Sequence, residues 1–111
     1  MDEELEKATL DAMWYQPEFQ VIIEDHLTLL QKHQQNQYIE VHPNDAYRFE
    51  GDYYNLLRFK GVPYRYHWVL LRVNGYLSPF DSGMEVKRII VPPYEVLERI
   101  MNMHIMHIKP Q

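Results

Sequence analysis

The run from Tyr66 to Pro93, YHWVLLRVNGYLSPFDSGMEVKRIIVPP, constrains the fold of this chain more than any other segment. Its opening is aromatic and apolar and reads as the body of a short helix, Tyr64 to Val73. Asn74-Gly75 stops that helix, because glycine readily takes the left-handed conformation with which helices commonly end. Tyr76 to Gly83 is rich in Ser, Pro, Asp and Gly and reads as a loop. Val86 to Val91 reads as a strand that Pro92-Pro93 terminates, since proline cannot donate to a ladder. Helix, loop and strand in this order outline the second half of a small helix-and-strand module. No residue pattern within it suggests a catalytic centre.

The first half lies upstream. Tyr38-Ile39-Glu40-Val41 is a short β-prone run, and His42-Pro43-Asn44-Asp45 reads as the turn that ends it. Asp52 starts a helix that continues to Phe59, with Gly61 as its left-handed terminator. The core order is thus strand, helix, helix, strand, an α+β module whose expected interior is Ile39, Val41, Leu56, Leu57, Trp68, Leu71, Ile89 and Val91. In the second helix Tyr64, Trp68 and Leu71 are expected to point inward. Tyr66, Val69, Leu70 and Val73 are then surplus apolar surface, to be covered by the N-terminal helix, the tail or a partner.

Ahead of the module, residues 2–13 read as a helix with acidic residues in its first turn, and its apolar stripe is weak. Pro17 suits the first turn of a second helix reaching Lys32. Phe19, Ile22, Ile23, Leu27 and Leu30 give it an amphipathic face. The polar HQQNQ that follows is taken as a boundary. It divides the chain into an N-terminal helical arm (1–36), the module with its C-terminal helix (37–101) and a tail (102–111). The tail, MHIMHIKPQ, alternates apolar residues with histidine and reads as strand-like over a few residues.

Composition narrows the function classes. At 111 residues the chain is one domain's worth of sequence. A net charge of −5 disfavours binding to duplex nucleic acid, which normally requires a basic footprint. With no cysteine there is neither disulfide nor thiolate chemistry, which favours a reducing compartment. No apolar run approaches a membrane span, and the acidic N-terminus does not resemble a signal peptide. Nine tyrosines favour a chain with interfaces, because tyrosine offers a large contact area with a polar tip.

Taken in order, these motifs resemble the LysM-like domain, a βααβ module, in the form found in baseplate wedge and hub proteins of contractile-tailed bacteriophages. The residues that carry the resemblance begin with Tyr38 to Pro43 for the first strand and Asp52 to Leu57 with Gly61 for the first helix. His67 to Leu71 with Asn74-Gly75 match the second helix. Ser78-Pro79-Phe80, Gly83 and Arg88 to Pro92 match the loop and second strand. Together they span about residues 38 to 100. His67 stands where the family often has a tryptophan, and Ser78-Pro79-Phe80 replaces an Asp-Pro-Phe-like loop.

The resemblance implies a structural protein of the virion, made in the host cytoplasm. It would join other tail and baseplate proteins, hub or tube to wedge or sheath, by adhesion. Candidate contacts are Trp14, Tyr15, Phe19, Tyr66, Tyr76, Phe80, Ile105 and Ile108. A stable monomer with its tails folded on its own core would count strongly against this adhesive reading. Two rivals stand beside this reading. LysM domains commonly bind N-acetylglucosamine glycans, here through the loops at Asn44-Asp45 and Tyr76 to Asp81, as in peptidoglycan or chitin oligomers. A small host-directed phage inhibitor is the other.

No catalytic residue, cofactor or metal is expected. Asp81-Ser82 and Glu95/Glu98 are explained by a turn and a solvated helix face rather than as a nucleophile with its base or opposed carboxylates. His104 and His107 share a helical spacing, but a structural zinc site wants about four ligands and cysteine is absent.

Overall fold

The computed structural model describes residues 3–108, and of Ile108 only the backbone. The chain is an α+β domain. Helix α1 spans Glu3–Met13, α2 Pro17–Asp25 and α3 Leu27–Gln31, followed by strand β1, Gln37–Glu40. Then come α4, Pro43–Arg48, α5, Tyr53–Phe59, a 3₁₀ turn at Tyr64–Tyr66 and α6, His67–Val73. Strand β2, Arg88–Val91, and helix α7, Tyr94–Ile108, complete the chain.

The two strands are antiparallel, with Gln37 opposite Val91 and Glu40 opposite Arg88. A lone pair of four-residue strands is marginal in water, so this one depends on what covers it. Ile89 is fully buried, and α6 packs directly against β2. Asn74, at the end of α6, supplies what a third strand would. Its side chain accepts from the Ile90 N–H at 2.8 Å and donates to the Ile90 carbonyl at 3.0 Å. The same amide donates to the Leu70 carbonyl, closing the end of α6.

Helix terminators fall where the glycines stand. Gly61 and Gly75 have φ of +83° and +91°. After each, the next N–H reaches back to the helix: Val62 to the Leu57 carbonyl and Tyr76 to the Leu71 carbonyl. That is the Schellman closure, and it buries Val62 against the helix it terminates.

Several expectations are corrected. His42-Pro43 begins α4 instead of a turn. His42 Nδ1 accepts from the Asn44 N–H, and Pro43 takes the first helical position, where its missing donor costs nothing. Three α-helices therefore lie between the strands where two were expected. The helix expected to run from Pro17 to Lys32 breaks at His26, whose Nδ1 lies 2.8 Å from the Ile22 carbonyl. The tail to Ile108 is helical rather than strand-like: Leu97, Met101 and His104, at spacings of four and three, form one buried face of α7.

The largest correction concerns the boundary at residue 36. Trp14, Phe19, Ile23 and Leu30 belong to the same buried cluster as Leu56, Leu57, Leu71 and Ile89. One core therefore draws on both sides of that boundary. Helix α6 lies at its centre, packed by α2 and α3, by α5 and by β2. Val69, Leu70 and Val73 are fully buried, so the apolar surplus is covered by the chain's own N-terminal helices. The inward face differs from the expected one: Tyr64 is exposed and Trp68 only half-buried. Of the expected core, Val41, Leu56, Leu57, Leu71, Ile89 and Val91 are buried, and Ile39 is half-buried at the sheet's edge.

Candidate docking surface

Polar ties fix the terminal helices to the core. The Arg65 guanidinium donates to Asp11 at the end of α1 and to Glu98 on α7. Burial alone would lower the guanidinium pKa, but these two carboxylates outweigh it and hold Arg65 more firmly charged. The phenol of Tyr66 stacks on Tyr94 at 4.3 Å and donates to Glu98. Burial and the Glu98 charge push Tyr66 up to about 12. Arg72 clamps Glu24 of α2 and the Tyr76 carbonyl, and Gln31 donates to the Val73 carbonyl.

This packing redistributes the candidate contact residues. Trp14 and Phe19 are 1% and 0% exposed, and Tyr66 is buried, so these three are interior and not available to a partner. Trp14 meets Phe19 and Tyr66 edge-on at 5.1 Å. Tyr15, Tyr76 and Ile105 are half-buried and lean on the core. Tyr15 stacks on Tyr64 and donates to its carbonyl, and burial beside Tyr64 drives its pKa upward. The Ile108 side chain lies outside the described residues. Phe80 alone among the candidates is strongly exposed, at 78%, and neighbouring Leu77 reaches 79%.

The loop that carries Leu77 and Phe80 is held at many points. The Tyr53 N–H donates to the Pro79 carbonyl and the Gly51 N–H to the Ser82 carbonyl, which ties the loop to α5. The Phe80 N–H donates to Ser78 Oγ. Glu85 accepts from the Tyr76 hydroxyl at 2.6 Å and from the Gly83 N–H at 2.7 Å. These two bonds hold the Glu85 carboxyl below the usual carboxylate range. Burial, together with Glu85, raises the Tyr76 phenol in turn. The backbone is thus fixed while two large apolar side chains stand in solvent.

Sequence reasoning missed Leu77. It also missed exposed Tyr47 on α4 and exposed Met103 and Met106 on α7. A leucine inside a turn-rich loop was the available signal, since a loop has no face to turn toward a core. Of the two loops associated with glycan binding, the first is part of α4, where Asn44 lies in the first turn and Asp45 pairs with Lys60 at 3.6 Å, and the second is the loop that carries Leu77 and Phe80. Among the described residues, no group of three or more His, Asp or Glu is disposed to hold a metal ion, and no helix is long and apolar enough to cross a membrane. No protein-family model matches the chain, and comparison with curated proteins and with solved structures likewise finds no match.

Proposed function

We propose that this chain is a non-catalytic docking protein, a LysM-like component of a contractile phage tail baseplate that joins neighbouring subunits, hub or tube to wedge or sheath. Two things support the reading. One is the ordered set of residues from Tyr38 to Pro92 that resembles that family. The other, which carries the docking role, is the fixed loop presenting Leu77 and Phe80. Full burial of such a side chain contributes roughly 1.5–3 kcal/mol, and a loop already in one conformation loses little entropy on binding. Because α2, α3 and the inner face of α7 are committed to the chain's own core, adhesion to neighbouring tail proteins falls to this loop and not to those helices.

The test has two arms. Mass spectrometry of purified particles is expected to find the chain at fixed stoichiometry, and its absence overturns the structural role. A Leu77→Asp/Phe80→Asp variant is expected to unfold at the wild-type temperature yet be lost from particles. Incorporation at wild-type level would sink the loop's part in docking.

A further inference from the structure

Two surfaces elsewhere on the molecule are exposed, and they complement each other. The first is helix α1. Its eleven residues include none that is buried, and residues 3–10 are all exposed. A helix this short is marginal in water on its own. Contact with the body comes at its far end, through Asp11, Met13 and the packing of the following Trp14. Leu5, Ala8 and Ala12 recur at spacings of three and four, and Leu5 and Ala12 lie opposite Trp14 around the helix. Thr9 lies beside this strip and turns its hydroxyl back to the Leu5 carbonyl. Glu3 and Glu6 have no partner among the described residues. Residues 1–25 as a whole carry eight carboxylates and a single lysine.

The second surface is a cleft lined by Arg48, Phe49, Asn55, Arg58 and Phe59, between α4 and α5. Phe59 is half-exposed, and its ring meets Phe49 at 5.3 Å. The Arg48 guanidinium lies over both rings, 4.9 and 5.3 Å from their centres. Nearby carboxylates are directed elsewhere. Asp45 pairs with Lys60 and Asp52 accepts from Asn55. Arg48 and Arg58 therefore have no carboxylate partner among the described residues. A guanidinium stacked on an aromatic face keeps its N–H edge free for a carboxylate, the strongest hydrogen bond it makes.

We propose that copies of this chain associate head to tail, α1 of one copy seating in the α4–α5 cleft of the next. The Leu5–Ala8–Ala12 strip covers the Phe59 ring, and the Glu6 carboxylate that flanks the strip meets Arg48 and Arg58. The two patches are different surfaces of one chain, so the contact is heterologous and generates a ring or an open filament in place of a closed symmetric dimer. It stands independently of the baseplate reading, since it needs only the chain itself.

Sedimentation analysis of the purified chain across a concentration series is expected to show association that weakens with added salt. Arg48→Ala/Arg58→Ala and, separately, Leu5→Asp/Glu6→Gln are each expected to weaken it at least about tenfold. All four positions are exposed, so circular dichroism is expected to stay unchanged. Mixing the two variants is diagnostic: one retains a sound helix, the other a sound cleft. The mixture is expected to stop at a one-to-one dimer. A chain monomeric through the millimolar range overturns the proposal. So does association that survives either double variant, or a mixture of the two that fails to pair.

Discussion

Helix α1 and the α2–α3 pair sit side by side in the first thirty-one residues, one with a weak apolar stripe and the other with a strong one, and the fold treats them oppositely. From α2 and α3, Phe19, Ile23 and Leu30 enter the core at 0–1% exposure, whereas α1 buries nothing. The difference is side-chain size. A strip of alanines with one leucine removes little apolar area from water, whereas Phe, Ile and Leu each contribute roughly 1.5–3 kcal/mol when fully buried. Periodicity locates a face on a helix. The volume of that face decides whether the core claims it.

The strongest challenge to this contrast is truncation. Removing residues 1–10 is expected to leave cooperative unfolding intact. Removing residues 1–31 is expected to abolish it, because Val69, Leu70 and Val73 lose their cover. Calorimetry distinguishes the two, and a cooperative transition after the longer deletion would restore the boundary at residue 36. Next in size, Phe19→Ala is expected to cost about 3–5 kcal/mol in denaturant unfolding, from lost burial and the cavity left behind. Leu5→Ala is expected to stay within about 0.5 kcal/mol in the isolated chain.

Asn74→Ala is expected to cost about 1–3 kcal/mol, because it strands the Ile90 N–H and carbonyl at the edge of β2. Hydrogen exchange at Ile90 should accelerate more than at Ile89, which would separate loss of the tie from general loosening.

His67 gives the pH dependence. Its Nε2–H donates to the Val62 carbonyl, while Nδ1 is buried without a protein partner. Burial lowers its pKa in the fold despite the Val62 bond. The unfolded chain therefore binds the proton more readily. This contribution to stability is present above about 6.5, the unfolded value, and is lost as pH falls from there through the lowered folded value. His67→Gln is expected to flatten that slope in unfolding curves taken across the same range.

Among the polar ties, the smallest expected effect is that of Glu85→Gln. The carboxylate is exposed, so the change should cost less than about 1 kcal/mol, yet speed hydrogen exchange at the Gly83 amide it holds.

Much of the fold was legible locally. Gly61 and Gly75 close their helices as expected because positive φ is a backbone requirement that glycine alone meets without strain. Pro17 opens α2, and both strands lie within a residue or two of their β-branched runs. The misreadings share one origin: the signals were ambiguous until packing resolved them. Proline after His42 suits a turn or a helix start equally. Met103 to Ile108 suits a strand until Leu97, Met101 and His104 are seen to share a buried face. Of the candidate contact residues, Phe80's exposure was legible from its place in a proline-containing loop. Trp14, Phe19 and Tyr66 were not, because an aromatic residue reads the same in sequence whether it will face a partner or a core.

Sequence by itself determined where α2 starts, where α5 and α6 stop and where the two strands lie, since these follow from φ limits, missing donors and β-branching within a few residues. Tertiary structure alone decided that α6 is buried on nearly every side, that Trp14, Phe19, Ile23 and Leu30 are core, and that Leu77 and Phe80 remain outside. Burial is a property of distant neighbours competing for the same apolar surface, and no short window of sequence contains that competition.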